Sequence, residues 1–145
     1  MKKILFISLI VFSSISASSQ NWMTDLEASK KLASEENKKI ILVFQGSDWC
    51  APCIKLDREI WSTDEFKTYA NKKYVMLKAD FPRKKKNLLP KTEQENNNKL
   101  AERYNSNGHF PFVVVLDKTG KVLGETGYLK ISPSDYINHI NSFIK

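Results

Sequence analysis

Cys50 and Cys53 are the only two cysteines in a chain of 145 residues, so any sulfur chemistry has to be done by this pair. They stand in Trp49-Cys50-Ala51-Pro52-Cys53, where an apolar run, Ile40-Ile41-Leu42-Val43-Phe44, gives way to a helical pattern. On the first turn of a helix, two cysteines at that spacing share a face and can close a disulfide without large backbone movement. Such a pair can cycle between dithiol and disulfide. The helix N-terminus adds reactivity, because its unpaired N–H groups and the positive end of the macrodipole favour a thiolate over a thiol. Cysteines so placed titrate at roughly 3.5 to 7.5 instead of about 8.5. This assigns Cys50 as the attacking nucleophile and Cys53 as the thiol that resolves the mixed disulfide. Pro52 suits the first helical turn: its φ is already helical, and the N–H it lacks would have had no intrahelical partner.

Two other uses of the pair stay open on the residues alone. A structural staple across so short a loop constrains the unfolded chain by only about 2 kcal/mol, against about 4.7 kcal/mol for a hundred-residue loop. A zinc site needs four ligands, and the only histidines, His109 and His139, lie far along the chain with no second cysteine pair. Redox exchange makes better use of the cysteines than either.

The pair has to be positioned by its neighbours. Thr24-Asp25-Leu26-Glu27 reads as a capping box opening an amphipathic helix to about Asn37, with Leu26, Ser29, Leu32 and Ala33 on its apolar stripe. Ile40 to Gln45 is a strand covered on both faces, and therefore central. Gly46-Ser47-Asp48 leads from it into the cysteine helix, which should turn Ile54, Leu56 and Ile60 inward. Ser62-Thr63-Asp64-Glu65 is a second capping box, so that helix breaks near Trp61 and restarts to about Lys72. Tyr74 to Asp80 has strand composition and ends at Phe81-Pro82. The resulting β-helix-β unit implies a right-handed crossover, with functional groups at the C-terminal edge of the strands, where Cys50 lies.

Residues 82–98 are polar, basic and rich in asparagine, a surface insertion in which Thr92 and Glu95 cap a helix running to about Tyr104. Phe112 to Leu116 is a second buried strand, Asp117 to Gly120 a turn, and Lys121 to Gly127 an antiparallel return. Pro133 takes the first position of a last helix, with Tyr136, Ile137, Ile140, Phe143 and Ile144 packing on the sheet. The class is α/β, a central mixed sheet flanked by helices.

Met1-Lys2-Lys3, the apolar Ile4 to Phe12 and the small polar Ser13 to Ser19 read as a secretory signal peptide cleaved just before Gln20. The apolar run is too short to span a bilayer, and no cysteine follows it to carry a lipid, so no stable membrane anchor is expected. Residues 20–145 then form one domain with an adequate core. Without Lys2 and Lys3 the formal net charge falls from +7 to +5. Positive charge is concentrated in Arg83-Lys84-Lys85-Lys86, which could steer an acidic partner but is more often a solvated loop. With no interleaved aromatics and no nucleic-acid motif, nucleic acid is not expected as a partner. One C-x-x-C pair is no disulfide scaffold, so stability has to come from packing.

The element order, the strand leading into Trp49-Cys50-Ala51-Pro52-Cys53, the Phe110-Pro111 pair before a buried strand, and the terminal hairpin and helix together resemble the thioredoxin fold across nearly all of residues 20–145. The resemblance implies that the Phe110-Pro111 bond is cis and faces the cysteines, and that the backbone beside Pro111 pairs with an extended substrate segment. From the residues alone, an ordinary trans proline opening a strand would be expected. Trp49 and Phe110 would belong to the same docking surface. Gly46-Ser47-Asp48-Trp49-Cys50 looks more like exported thioredoxin-like proteins than like cytosolic thioredoxin. Two departures stand out: Ala51 replaces the Gly of thioredoxin, and Ile40 to Gln45 carries no carboxylate where thioredoxins usually keep a buried acid that helps deprotonate the resolving cysteine. The nearby ionisable residues Asp48 and Lys55 read as solvated. Cys53 is then activated through water or another group, or exchange is slower. His109 reads as a surface loop residue rather than a catalytic one.

The expected function is an exported thiol:disulfide oxidoreductase, periplasmic or secreted, exchanging disulfides with protein partners. Cys50 and Cys53 are its catalytic residues, Trp49, Phe110 and Pro111 bind substrate, and no metal or organic cofactor is required. Pro52 before the second cysteine resembles reductants. A reductase outside the cytoplasm needs electrons from a membrane-linked donor, because no reducing pool is expected there. A monomer is expected. The competing expectation is a thioredoxin-fold binding module, chaperone-like or metal-delivering, whose cysteines do not turn over.

Overall fold

From Trp22 onward the chain alternates short strands with helices: β1 (Trp22–Met23), α1 (Leu26–Glu35), β2 (Lys39–Gln45), α2 (Ala51–Leu56), a π-helical turn (Asp57–Trp61), α3 (Asp64–Lys73) and β3 (Tyr74–Asp80). A 3-10 turn (Lys85–Asn87), α4 (Lys91–Tyr104), β4 (Phe112–Leu116), β5 (Val122–Thr126) and α5 (Pro133–Ser142) complete it. The computed structural model describes residues 19–145; apart from Ser19, the expected signal segment lies outside them.

The strands form one mixed sheet in the order β1-β3-β2-β4-β5. β2 runs parallel to β3, with Gln45 beside Asp80, and antiparallel to β4, with Phe44 beside Phe112. Strand alternation sends Ile41 and Val43 to one face and Ile40, Leu42 and Phe44 to the other, all fully buried. The first face packs on Leu56, Ile60, Trp61, Phe66 and Tyr136, from the cysteine helix with its π turn, α3 and α5. The second packs on Ala33 of α1 and Leu100 of α4. A strand buried on both sides is the floor from which Cys50 projects at its C-terminal end.

Several boundaries fall one residue from the expected ones. Asp25, not Thr24, caps α1, its carboxylate accepting from the Ala28 N–H at 2.7 Å. Thr63, not Ser62, caps α3. Helix α4 begins before Thr92 with Pro90 at its cap position and no side-chain cap. The insertion is therefore shorter than 82–98, and Asn97 is buried inside the helix. Helix α1 stops at Glu35, and Asn37 takes a left-handed φ of 52°. Ile54 does not turn inward: the helix buries Cys53, Leu56 and Ile60, and Ile54, about 100° around the helix from Cys53, is 45% exposed. Strand β1 was not expected, since two residues are too short to show alternation.

Candidate active site

Cys50 is the N-cap of α2, with extended backbone dihedrals, and its Sγ accepts from the Cys53 N–H at 3.3 Å. The two cysteines are joined in a disulfide, with Cα atoms 5.2 Å apart. Only 4% of Cys50 and 3% of Cys53 is exposed, so a partner sulfur has a narrow approach. Exposure hardly separates the two residues; the N-cap position does, because the first-turn N–H of Cys53 points at the Cys50 sulfur.

The loop before the pair is held by groups remote in sequence. A Cβ on Gly46 would overlap the Trp49 indole, so only glycine lets that ring lie against the strand end. The indole N–H donates to the Phe81 carbonyl at 2.7 Å. Asp80, buried at the end of β3, accepts from the Ser47 N–H at 3.0 Å and the Ser47 hydroxyl at 2.6 Å. Opposite this loop the Phe110–Pro111 peptide is cis. Its approach is braced by buried Asn105, whose side-chain amide donates to the His109 carbonyl at 2.8 Å and accepts from the His109 N–H at 2.9 Å. His109 itself is exposed, its ring edge-on to Phe112.

Trp49, Phe81 and Phe110 form an aromatic cluster, with Phe110 5.5 Å from the Trp49 ring and 5.6 Å from the Phe81 ring. A groove of about 450 Å³ opens over these rings, bounded also by Pro82, Gln94 and Gly108, and Arg83 is its one ionisable lining residue. The Arg83 guanidinium lies 3.7 Å from the Trp49 ring centroid. Asp48 is not the free solvated carboxylate expected: it accepts from the Arg83 and Lys84 N–H groups and the Asn87 amide, each at 2.9 Å. The hydrogen bond from the Arg83 backbone, with those from Asn87 and Lys84, holds the Asp48 carboxyl below its usual value despite some desolvation.

On the other side, Cys53 borders a cavity of about 260 Å³ shared with Gln45, Ser47, Ile54, Asp57 and Lys78. The ionisable groups beside the resolving cysteine are thus Asp57 and Lys78. Neither Asp48, tied to the basic loop, nor the exposed Lys55 lines that cavity.

The sequence profile of the thioredoxin-like family matches residues 21–118. Disulfide bond reductase DsbH of Chlamydia pneumoniae is 34% identical over 131 residues, covering 90% of this chain and 76% of that protein. The chain belongs to the thioredoxin-like family. A solved DsbH oxidoreductase superimposes with a TM-score of 0.81 at 30% identity, covering 95% of this chain and 93% of that one. A thioredoxin from Thermus thermophilus, 14% identical with a TM-score of 0.64 over 87% of this chain and 88% of its own, shares the fold. With these relatives and its Cys50–Cys53 disulfide, this thioredoxin-like chain is a protein-disulfide oxidoreductase.

Of the residues expected at the thioredoxin-like site, Trp49 and Phe110 are in ring contact, and Pro111 follows Phe110 through the cis bond. Sequence reasoning missed Asp80, Asn105, Asp57 and Lys78. An Asp closing a strand beside the motif was a visible signal for Asp80. Nothing marked Asn105, whose role arises only when the chain folds back on itself.

Proposed function

We propose that this chain is an exported disulfide reductase in which the Cys50 thiolate attacks a disulfide of a partner protein. The attack forms a Cys50–partner bond and expels one partner thiolate. Cys53 then gives up its proton and attacks the Cys50 sulfur, forming the Cys50–Cys53 disulfide and releasing the second partner thiol. Two electrons pass to the partner; the first thiolate expelled takes its proton from water, and the second leaves as a thiol with the equivalent of the proton given up by Cys53.

The single observation that carries this assignment of roles is the N-cap position of Cys50, where the Cys53 N–H points at its sulfur. There a thiolate gains from the same donor and from the positive helix end. The cavity beside Cys53 supplies room for water, the Asp57 carboxylate to take the resolving proton in place of the missing strand acid, and the Lys78 ammonium to favour the thiolate that forms. In this reading Trp49, Phe110 and Pro111 bind the partner segment. The reducing direction is supported by the name of the 34% identical relative. Residues 1–19 act as the signal peptide, residues 20–145 as the exported domain, and electrons return from a membrane-linked donor. No helix among the described residues is long and apolar enough to cross a membrane.

Reduction of insulin by dithiothreitol tests the enzyme reading. Native protein should accelerate it and Cys50→Ser should not; equal rates would defeat the reading. A measured reduction potential near the thioredoxin value of about −270 mV supports a reductase, and one near about −120 mV an oxidant.

A further inference from the structure

Arg83-Lys84-Lys85-Lys86 is exposed and carries one sign of charge, a pattern that alone describes most solvated loops. Here the loop is fastened to the dithiol. Asp48, two residues before Cys50, takes the backbone N–H groups of Arg83 and Lys84 and the Asn87 side chain, using its carboxylate on the loop's frame. Arg83 stacks on Trp49, the residue next to Cys50. Among the described residues, none of the four basic side chains is in an ion pair; Lys84 reaches Asp48 only as longer-range attraction. The adjoining groove has Arg83 and no carboxylate in its lining. On the helix that follows, Glu95 is already paired with Lys91 at 3.9 Å.

We propose that Arg83–Lys86 is an electrostatic docking rim selecting partner segments in which acidic residues flank the reactive cysteine. The inference rests on the exchange reading above and names its substrate class. An unanswered cationic rim raises the local concentration of an anionic segment and its association rate, by roughly tenfold or more at low ionic strength. The anchoring by Asp48 and Trp49 makes this attraction productive, since a segment drawn to the run lies over the aromatic groove lined by Trp49, the residue before Cys50. A phosphate backbone would satisfy the charge but would bring no sulfur to the pair.

Two disulfide-linked peptides, identical except for Glu or Lys beside the cysteine, provide the test. Reduced protein is oxidised to the Cys50–Cys53 disulfide as each probe disulfide is reduced to two thiols, and the ratio of the rates is read. The acidic probe should be reduced roughly tenfold faster at low salt, with the ratio falling toward one in 1 M NaCl, where the screening length is about 3 Å. Replacing Lys84, Lys85 and Lys86 together by Glu should bring the ratio to one or below. A ratio near one in the native protein, or one unchanged in the triple variant, overturns the rim while leaving exchange intact. If neither probe is reduced, the exchange reading fails, and anisotropy of a labelled, cysteine-free acidic peptide on oxidised protein decides the rim separately. Salt-sensitive binding lost in the triple variant supports it; absence of binding overturns it.

Discussion

Before Cys50 the chain is held by buried area: Ile40 to Phe44 are fully covered, between the α2/α3/α5 layer on one face and α1 with α4 on the other. Around Cys50 it is held by direction: single hydrogen bonds and ring contacts tie residues 46–49 to residues 80–87 and Phe110. Apolar burial tolerates small shifts, whereas a hydrogen bond fixes an atom to a few tenths of an ångström. Stability is concentrated in the sheet and precision in the rim, so substitutions in the two regions should fail differently.

The largest effect on stability is expected in the sheet. Phe44→Ala should cost about 3–5 kcal/mol in denaturant unfolding, while the protein that stays folded keeps its exchange rate. Asp80→Ala sits where the regions join: it leaves the Ser47 donors without their acceptor and should cost about 1–3 kcal/mol, with a lowered rate of partner reduction. Gly46→Ala forces the Trp49 ring off the strand end. An overpacking cost of about 1–3 kcal/mol should come with changed tryptophan fluorescence, and an unchanged spectrum would sink the claim that glycine seats the ring.

The smallest effect is confined to the rim. Asp48 has a lowered folded-state value, so its hold on the loop is complete above the ordinary carboxyl value of 3.8 and is lost as pH falls through the lowered one. Hydrogen-exchange protection of the Arg83 and Lys84 amides should follow that course and vanish at all pH in Asp48→Ala. Protection independent of Asp48 would mean that the loop is held by something else.

The same contrast explains what the sequence made legible. β3 and β4 could be read to the residue, and β2 to within one, because apolar and β-branched runs state burial locally. Helix starts slipped by a residue where adjacent Thr, Ser and Asp offered competing caps, as at Thr24-Asp25 and Ser62-Thr63. Within the site, the cysteines and their helix position were plain, and the cis Phe110–Pro111 bond followed from family resemblance. Asp80 was signalled only by its place at the end of a strand beside the motif, whereas Asn105 and the fastening of Arg83–Lys86 by Asp48 were not readable, since each joins segments whose meeting only the folded chain decides.

The dithiol roles are tested most directly by trapping. Reduced Cys53→Ser protein, mixed with a disulfide-bonded protein substrate, should accumulate a stable mixed disulfide through Cys50, identified by mass spectrometry of the joined peptides. Cys50→Ser should accumulate little. Equal trapping by the two variants, or trapping through Cys53 alone, would contradict the assignment.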